Sequence, residues 1–298
     1  MSISHLFLWL TAAIWGFAFV AQSVGMEALG PYGFNATRFT LAALSMLPLI
    51  YFLDGKKQHD KGLTLKAGLI AGSVLFAGAT LQQIGLLYTT AANAGFITTT
   101  YMLIVPIAGL FLRHHIERQT WVGIILALVG LYVLTVGPNL TVQKGDAIEF
   151  LGAFFWAAHV LIVGHYSTKV PIVTFSVIQL VVVACGSWIM ALAFETVSWE
   201  AIEVSWVAIA YAGIASSAIA YTLQTLGQKQ VAPSSAALIL STEAVFAAIG
   251  GWWLMDETLS SRELAGCGLI FVGMMISQWP KRKRATSDKE DLLQAPSA

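Results

Sequence analysis

The sequence repeats itself, and each copy holds an odd number of apolar runs. Trp15-Gly-Phe-Ala-Phe in the first run answers to Trp156-Ala-Ala-His-Val in the sixth, and Gly123 and Gly130 in the fifth answer to Gly266 and Gly273 in the tenth. The runs cover residues 3–24, 33–53, 66–88, 92–112, 119–136, 145–166, 172–194, 204–226, 232–255 and 262–279. Most approach the roughly 20 residues a helix needs to cross a hydrocarbon core. Five crossings leave the second copy starting on the opposite membrane face, so the two copies are expected to be inverted. Inverted repeats are characteristic of secondary transporters, which place their site near the bilayer midplane between the repeats.

Composition agrees with a membrane setting. Of 298 residues, 57% are hydrophobic and only 11% charged, against roughly 25% charged in a soluble domain; mean hydropathy is +0.74. Long runs without alternation exclude a barrel and leave helices as the spanning structure. The expected fold is an all-α membrane protein of ten transmembrane helices, built as two inverted five-helix repeats around a central cavity. Its single transporter domain runs over 1–280, with repeat one at 3–136, repeat two at 145–279, and a basic then polar cytoplasmic tail at 281–298. No Lys or Arg precedes the first run, so it reads as a retained helix and not as a signal peptide. A formal net charge of zero, with no basic patch outside loops and tail, argues against a nucleic-acid partner.

Charge placement sets the orientation, because cytoplasmic loops collect Lys and Arg. With the N-terminus inside, the inner connections hold Lys56, Lys57, Lys61, Lys66, Arg113, Arg118, Lys169, Lys229, the run Lys281-Arg-Lys-Arg284 and Lys289. The outer loops hold only Lys144 and Arg262, and with Arg38 inside the second run these account for all 16 basic residues. Both termini are therefore expected to be cytoplasmic, in a multi-pass protein of the cell (inner) membrane.

An ionisable side chain at the bilayer centre costs about 2.5 to 3.5 kcal/mol on the insertion scale, so Arg38 and Glu243 stand out. Glu243 lies about 11 residues into the ninth run, roughly 16 Å deep. It is a candidate for a proton or a substrate amino group, and Arg38 for a carboxylate; fixing helix packing is the other role open to both. Neutral polar candidates are Gln22, Gln82, Gln83, Thr98, Thr99, Thr100, Gln179, Ser216, Ser217 and Gln224. Their amides and hydroxyls offer donors and acceptors to a zwitterion or polyol and equally bond helices together. Trp15, Phe19, Phe76, Phe96, Tyr101, Trp156, Tyr221 and Phe246 are candidate wall residues or ordinary packing. His159 takes the place of Ala18 in the first copy and is either a proton carrier or a buried neutral imidazole. Gly68-Leu-Ile-Ala-Gly72 and the heptad-spaced glycines are expected to bring helices close, and Pro48 and Pro106 to bend them. Cys185 and Cys267 read as small buried packing residues without a disulfide or metal role.

Catalytic and cofactor signatures are absent. His114-His115 with Glu117 lacks the spacing of a zinc-binding helix, and no phosphate-cradling Gly-x-x-x-x-Gly-Lys loop occurs. Asn139-Leu-Thr141 matches a glycosylation sequon by spacing alone. Neither a metal nor a cofactor is called for, and the chain does not read as an enzyme.

Several strings in order resemble the drug/metabolite transporter superfamily in its EamA-like ten-helix form. They are Ala13-Ile-Trp-Gly-Phe-Ala-Phe, Arg38, Ala91-Ala-Asn-Ala-Gly-Phe, Val231-Ala-Pro-Ser-Ser-Ala-Ala and Thr242-Glu243-Ala244-Val-Phe, where Ala244 replaces the family's proline, with Asp256-Glu257 and Leu259 beyond. The resemblance covers about residues 3–279. It implies a cavity lined mainly by the first, third, fourth, sixth, eighth and ninth helices. It also implies secondary transport of small organic metabolites by alternating access, in the direction of export and with amino acids or related compounds first among the solutes. Uptake and efflux of amphipathic drugs are the alternatives; a membrane scaffold or intramembrane enzyme is the remote one. The substrate and coupling candidates are Trp15, Gln22, Arg38, Gln82, Gln83, Thr99, Tyr101, His159, Ser217, Tyr221, Gln224 and Glu243. The expected partners are a small-molecule substrate and the lipid bilayer, with a coupled proton and a homo-oligomer left open.

Overall fold

The computed structural model describes residues 2–54, 59–113, 116–135, 144–255 and 260–277, and these form helices and connections without a strand. The calls on Lys56, Lys57, His114, His115, Asn139 to Thr141, Asp256, Glu257, Leu259 and the tail 281–298 lie outside the described residues. In chain order the helices are α1 (Ile3–Gly25), α2 (Pro31–Leu49), α3 (Lys61–Gly85), α4 (Ala91–Thr98), α5 (Tyr101–Phe111), α6 (Arg118–Thr135), α7 (Lys144–Tyr166), α8 (Ile172–Phe194), α9 (Trp199–Val204), α10 (Trp206–Ala210), α11 (Ala220–Gln228), α12 (Pro233–Leu240), α13 (Glu243–Leu254) and α14 (Ser261–Ser277). Eight spans among the described residues are long and apolar enough to cross a membrane; Arg118–Val133 and Leu264–Ser277 are shorter apolar helices. The protein is a multi-pass helical membrane protein.

Local chemistry fixes where these helices start. Asp60 accepts the Leu63 amide proton and begins α3 at Lys61, five residues before the apolar run itself. Pro31 and Pro233 open α2 and α12, where a missing amide proton costs nothing. Leu44, Leu69, Ile125, Leu192 and Met275 are exposed on the outside, as helices facing lipid require. Cys185 belongs to that exposed surface, which corrects the expectation that both cysteines pack inside; Cys267 is buried, and neither is in a disulfide among the described residues.

Several apolar runs are interrupted helices. After Pro48, α2 loosens into a π-helical turn, Ile50–Asp54. Between α10 and α11 the chain winds as a π-helix over Tyr211–Ile219. The fourth run breaks between Thr98 and Tyr101, and the ninth between Leu240 and Glu243. At each break two hydroxyls cap the carbonyls that the interrupted ladder leaves open. Thr99 and Thr100 donate to Phe96 O and Ile97 O, at 2.7 and 2.6 Å, and Ser241 and Thr242 to Leu238 O and Ile239 O, at 2.8 and 2.7 Å. Irregular backbone at this depth is tolerated where it is enclosed by protein.

Packing follows the small residues. A Cβ on Gly123 would stand 2.5 Å from Gly273 O, and one on Gly130 2.6 Å from Gly266 O, so α6 and α14 touch backbone to backbone. The contacts run in opposite sequence order, which makes the two helices antiparallel. The Gly68 and Gly72 face of α3 packs on Ile178, Gln179 and Val182 of α8. The same exchange of partners recurs through the bundle: α2 packs on α8, α3 on both α7 and α8, and α1 on α11 and α13.

Candidate functional site

Helices α1, α2, α3 and α7 and the interrupted helices line a polar cavity of about 30 Å³. That is room for a water molecule and too little for a metabolite. From α1 come Trp15, Ala18, Phe19 and Gln22; from α2, Arg38; from α3, Gln82; from α4 and α5, Thr98 and Tyr101. Trp156, His159 and Val160 of α7, Ser216 of the π-helix, Tyr221 and Gln224 of α11 and Glu243 of α13 complete the wall.

Glu243 opens α13, so its carboxyl sits at the positive end of a helix that starts inside the protein. Tyr101, which opens α5, donates its hydroxyl proton to Glu243 Oε1 at 3.0 Å. The two broken helices thus present an acid and its donor to each other. Arg38 is buried at 4% exposure. Its Nε donates to Asn35 Oδ1 at 2.9 Å, and its guanidinium carbon lies 4.7 Å from the Phe39 ring centroid, a cation–π distance. Asn35 is held in turn by donating to Ala79 O. Both charge-bearing side chains therefore face one space from different elements.

Around them the amides form a hub. Gln82 donates to Gln22 Oε1 at 3.3 Å, while Gln22 donates to Ala18 O. Trp15 donates to Ser216 O at 3.0 Å and tilts against Tyr221 with centroids 5.0 Å apart. His159 Nε2 donates to Gln179 Oε1 at 2.7 Å, which leaves Nδ1 an acceptor. Among the described residues, His159 Nδ1, Trp156 Nε1 and both amide atoms of Gln224 have no protein partner. A buried polar atom left unpaired costs about 1–3 kcal/mol, so the wall carries donors and acceptors that a solute or water satisfies.

The structure gathers Trp15, Gln22, Arg38, Gln82, Tyr101, His159, Tyr221, Gln224 and Glu243 at this cavity. Gln83, Thr99 and Ser217, also singled out as substrate or coupling candidates, are not among the residues that line it. Gln83 donates to Gln22 O, Thr99 to Phe96 O, and Ser217 to Ala212 O across a wide π turn. Their neighbours Thr98 and Ser216 take the wall positions. Phe76, Phe96 and Phe246 pack in or against the core instead. Glu149 was not singled out from the sequence, although it is fully buried at 0% exposure. Its nearness to Lys144 and Asp146 makes the start of α7 read as a membrane edge.

A multi-pass helical bundle around a buried polar cavity, with broken helices ending at it, defines the class of membrane transporters. The EamA-like transporter family model matches residues 2–136 and again 143–278, and the chain belongs to that family. An uncharacterised transporter of Archaeoglobus fulgidus is 31% identical over 268 residues, covering 90% of this chain and 83% of that one. The uncharacterised transporter YwfM of Bacillus subtilis is 25% identical, over 96% and 97% of the two chains. The uncharacterised inner membrane transporter YedA of Escherichia coli K12 is 24% identical, over 88% and 86%. A solved crystal structure shares the fold with a TM-score of 0.78 at 17% identity, covering 93% of this chain and 98% of that chain.

Proposed function

We propose that the protein is an inner-membrane secondary transporter that exports amino acids or closely related zwitterions by alternating access between two inverted halves. The observation that carries this reading is the pairing of Arg38 and Glu243 on one cavity otherwise lined by amides and aromatic rings. A guanidinium suits a carboxylate, a carboxylate suits an ammonium, and unpaired Gln224 and Trp156 supply neutral hydrogen bonds. A phosphorylated sugar fits less well, because a dianion calls for several cations and Arg38 is the one Arg or Lys among the described wall residues.

The antiparallel Gly123–Gly273 and Gly130–Gly266 contacts support inversion. Equivalent helices of two repeats that run in opposite directions require the repeats to be inverted. Ten crossings follow when the two shorter apolar helices are counted with the eight longer spans; both termini are then on one side, which the Lys and Arg asymmetry makes the cytoplasmic one. The small cavity corresponds to a contracted state, and solute enters when the halves move apart on one face. Glu243 exchanges a proton, or the solute's ammonium, during that movement.

The aromatic wall of Trp15, Phe19, Tyr101, Trp156 and Tyr221 favours a second reading, efflux of amphipathic compounds. Overproduction in intact cells separates the two. An exporter of amino acids lowers the intracellular level of a toxic amino-acid analogue and raises tolerance to it, and Trp15→Ala or Gln82→Ala weakens this without loss of protein. Raised accumulation overturns the direction; an effect confined to amphipathic drugs favours the second reading.

A further inference from the structure

A second buried carboxyl lies behind the cavity wall, outside the set that meets the solute. Glu149 is 0% exposed. Its Oε2 accepts the Thr98 hydroxyl proton at 3.1 Å, and its Oε1 has no hydrogen-bond partner among the described residues. The niche is made by Gly85 at the end of α3, where an added Cβ would stand 2.5 Å from Glu149 Oε1. It is closed by Gly145 of α7, where a Cβ would stand 2.6 Å from Gly85 O. An ionised carboxylate with one hydrogen bond in such an enclosure is heavily penalised, and a proton removes the penalty.

Glu149 has a neighbour on each side suited to passing that proton. Asp146 lies one helical turn earlier on α7, half-exposed at the membrane face, and accepts from Thr89 Oγ1 at 2.8 Å. Thr98 both donates to Glu149 and lines the cavity. Thr98 sits three residues before Tyr101, the donor to Glu243, so the break in the fourth span touches both buried acids. From the remaining elements packed on α7, Tyr101 of α5 is turned to Glu243, and α11 and α12 meet α7 nearer its other end, at Val160 and Gly164. Lys144, at the start of α7, holds its ammonium 4.5 Å from the Tyr88 ring centroid.

From this geometry we infer that Glu149 is a proton-binding residue, fed through Asp146 and emptied through Thr98, that gives the cavity a proton route separate from the solute's. The transfers balance as one proton moved. The Asp146 O–H bond breaks as the Glu149 Oε1–H bond forms, directly or through a water. Once the carboxyl has turned its protonated oxygen to Thr98 and the Thr98 hydroxyl has turned from Glu149 to a cavity water, the acid gives its proton to the Thr98 oxygen while the Thr98 hydroxyl proton passes to that water. Glu149 and Thr98 return to their starting states, and Asp146 is restored by taking a proton from water at its exposed side. The inference rests on the transporter reading only for what the proton is coupled to.

The test uses the full chain in lipid vesicles, with protons as the probe. Infrared spectra are recorded from about pH 5 to about pH 9, a range spanning ordinary and shifted carboxyls. We expect a titrating carbonyl band of a protonated carboxylic acid that disappears in Glu149→Gln and persists in Glu243→Gln. Thr98→Val and Gly85→Ala keep the carboxyl and should displace the band's midpoint, which covers the case in which Glu149→Gln fails to fold. An identical titration in folded Glu149→Gln, or an unmoved midpoint in both Thr98→Val and Gly85→Ala, overturns the inference. No solute enters this measurement, so failure of the transporter reading leaves it intact. Conversely, solute flux in Glu149→Gln that keeps its full response to a pH gradient overturns the coupling alone.

Discussion

Glu195, at the end of α8, accepts the backbone amide proton of Gly33 at 2.7 Å, in the first turn of α2; the same carboxylate takes the Tyr32 amide at 3.0 Å. The reciprocal contact exists at the opposite end of the same helix pair. Asp54, at the end of the π turn that continues α2, accepts from Thr174 N at 2.8 Å and Thr174 Oγ1 at 3.1 Å, in the first turn of α8. Each helix thus caps the other's N-terminus, an arrangement open only to antiparallel neighbours of similar length.

Removing either carboxylate leaves helix amide protons without their acceptor. Glu195→Ala and Asp54→Ala should each lower stability by about 0.5–2 kcal/mol, the range for loss of an N-terminal cap. Thermal unfolding of detergent-purified protein checks this, with Glu195→Gln retaining part of the effect. Equal melting temperatures for all variants would show that the caps contribute nothing.

The crossing of α6 and α14 leaves no space for side chains. Gly123→Val should sharply reduce the yield of monodisperse protein, since even a Cβ would stand 2.5 Å from Gly273 O. Gly268, on the same α14, has nothing within 4 Å of an added Cβ, so Gly268→Ala should be nearly neutral. Size-exclusion profiles of the two variants, prepared side by side, read the difference.

Much of this frame was legible in the sequence because lipid imposes one rule on every crossing. Apolar runs, the glycine spacing in α6 and α14 and the basic asymmetry all survive averaging over a segment. The interruptions do not. At the pairs Thr98–Thr99 and Ser216–Ser217, spacing that assumes an uninterrupted helix misplaces a face by a residue. One residue turns an α-helix by about 100°, and a π turn adds to that error. Glu243 likewise opens a helix instead of lying within one. Glu149 escaped because its burial comes from Gly85 and Gly145 meeting across two segments, a contact absent from local composition.

The orientation proposed from the charge asymmetry is testable with single cysteines in a background lacking Cys185 and Cys267. Cysteines at Asp60 and Ala285 should be shielded from impermeant thiol reagents in intact cells, while those at Gly30 and Glu200 should be labelled. Labelling of both Asp60 and Gly30 positions in sealed cells contradicts the assigned topology.

Arg38 distinguishes a solute-binding cation from a packing one. If it meets the solute carboxylate, Arg38→Ala should weaken binding by about 1.5–3 kcal/mol, the range for a charged hydrogen bond, or roughly tenfold to more than a hundredfold. Its melting temperature should stay close to that of the unaltered protein. Unfolding of Arg38→Ala with no change in solute affinity of the surviving fraction would assign Arg38 to packing against Asn35 and Phe39.

The most direct measurement is counterflow in proteoliposomes containing the purified full chain. Vesicles are loaded with each member of a broad amino-acid panel and supplied outside with a trace of the same compound, labelled. The account predicts transient accumulation of label for at least one zwitterion, abolished by Trp15→Ala or Arg38→Ala in folded protein. No accumulation across the panel, with accumulation of an amphipathic cation or a neutral metabolite instead, would contradict the assignment of the cavity to zwitterions.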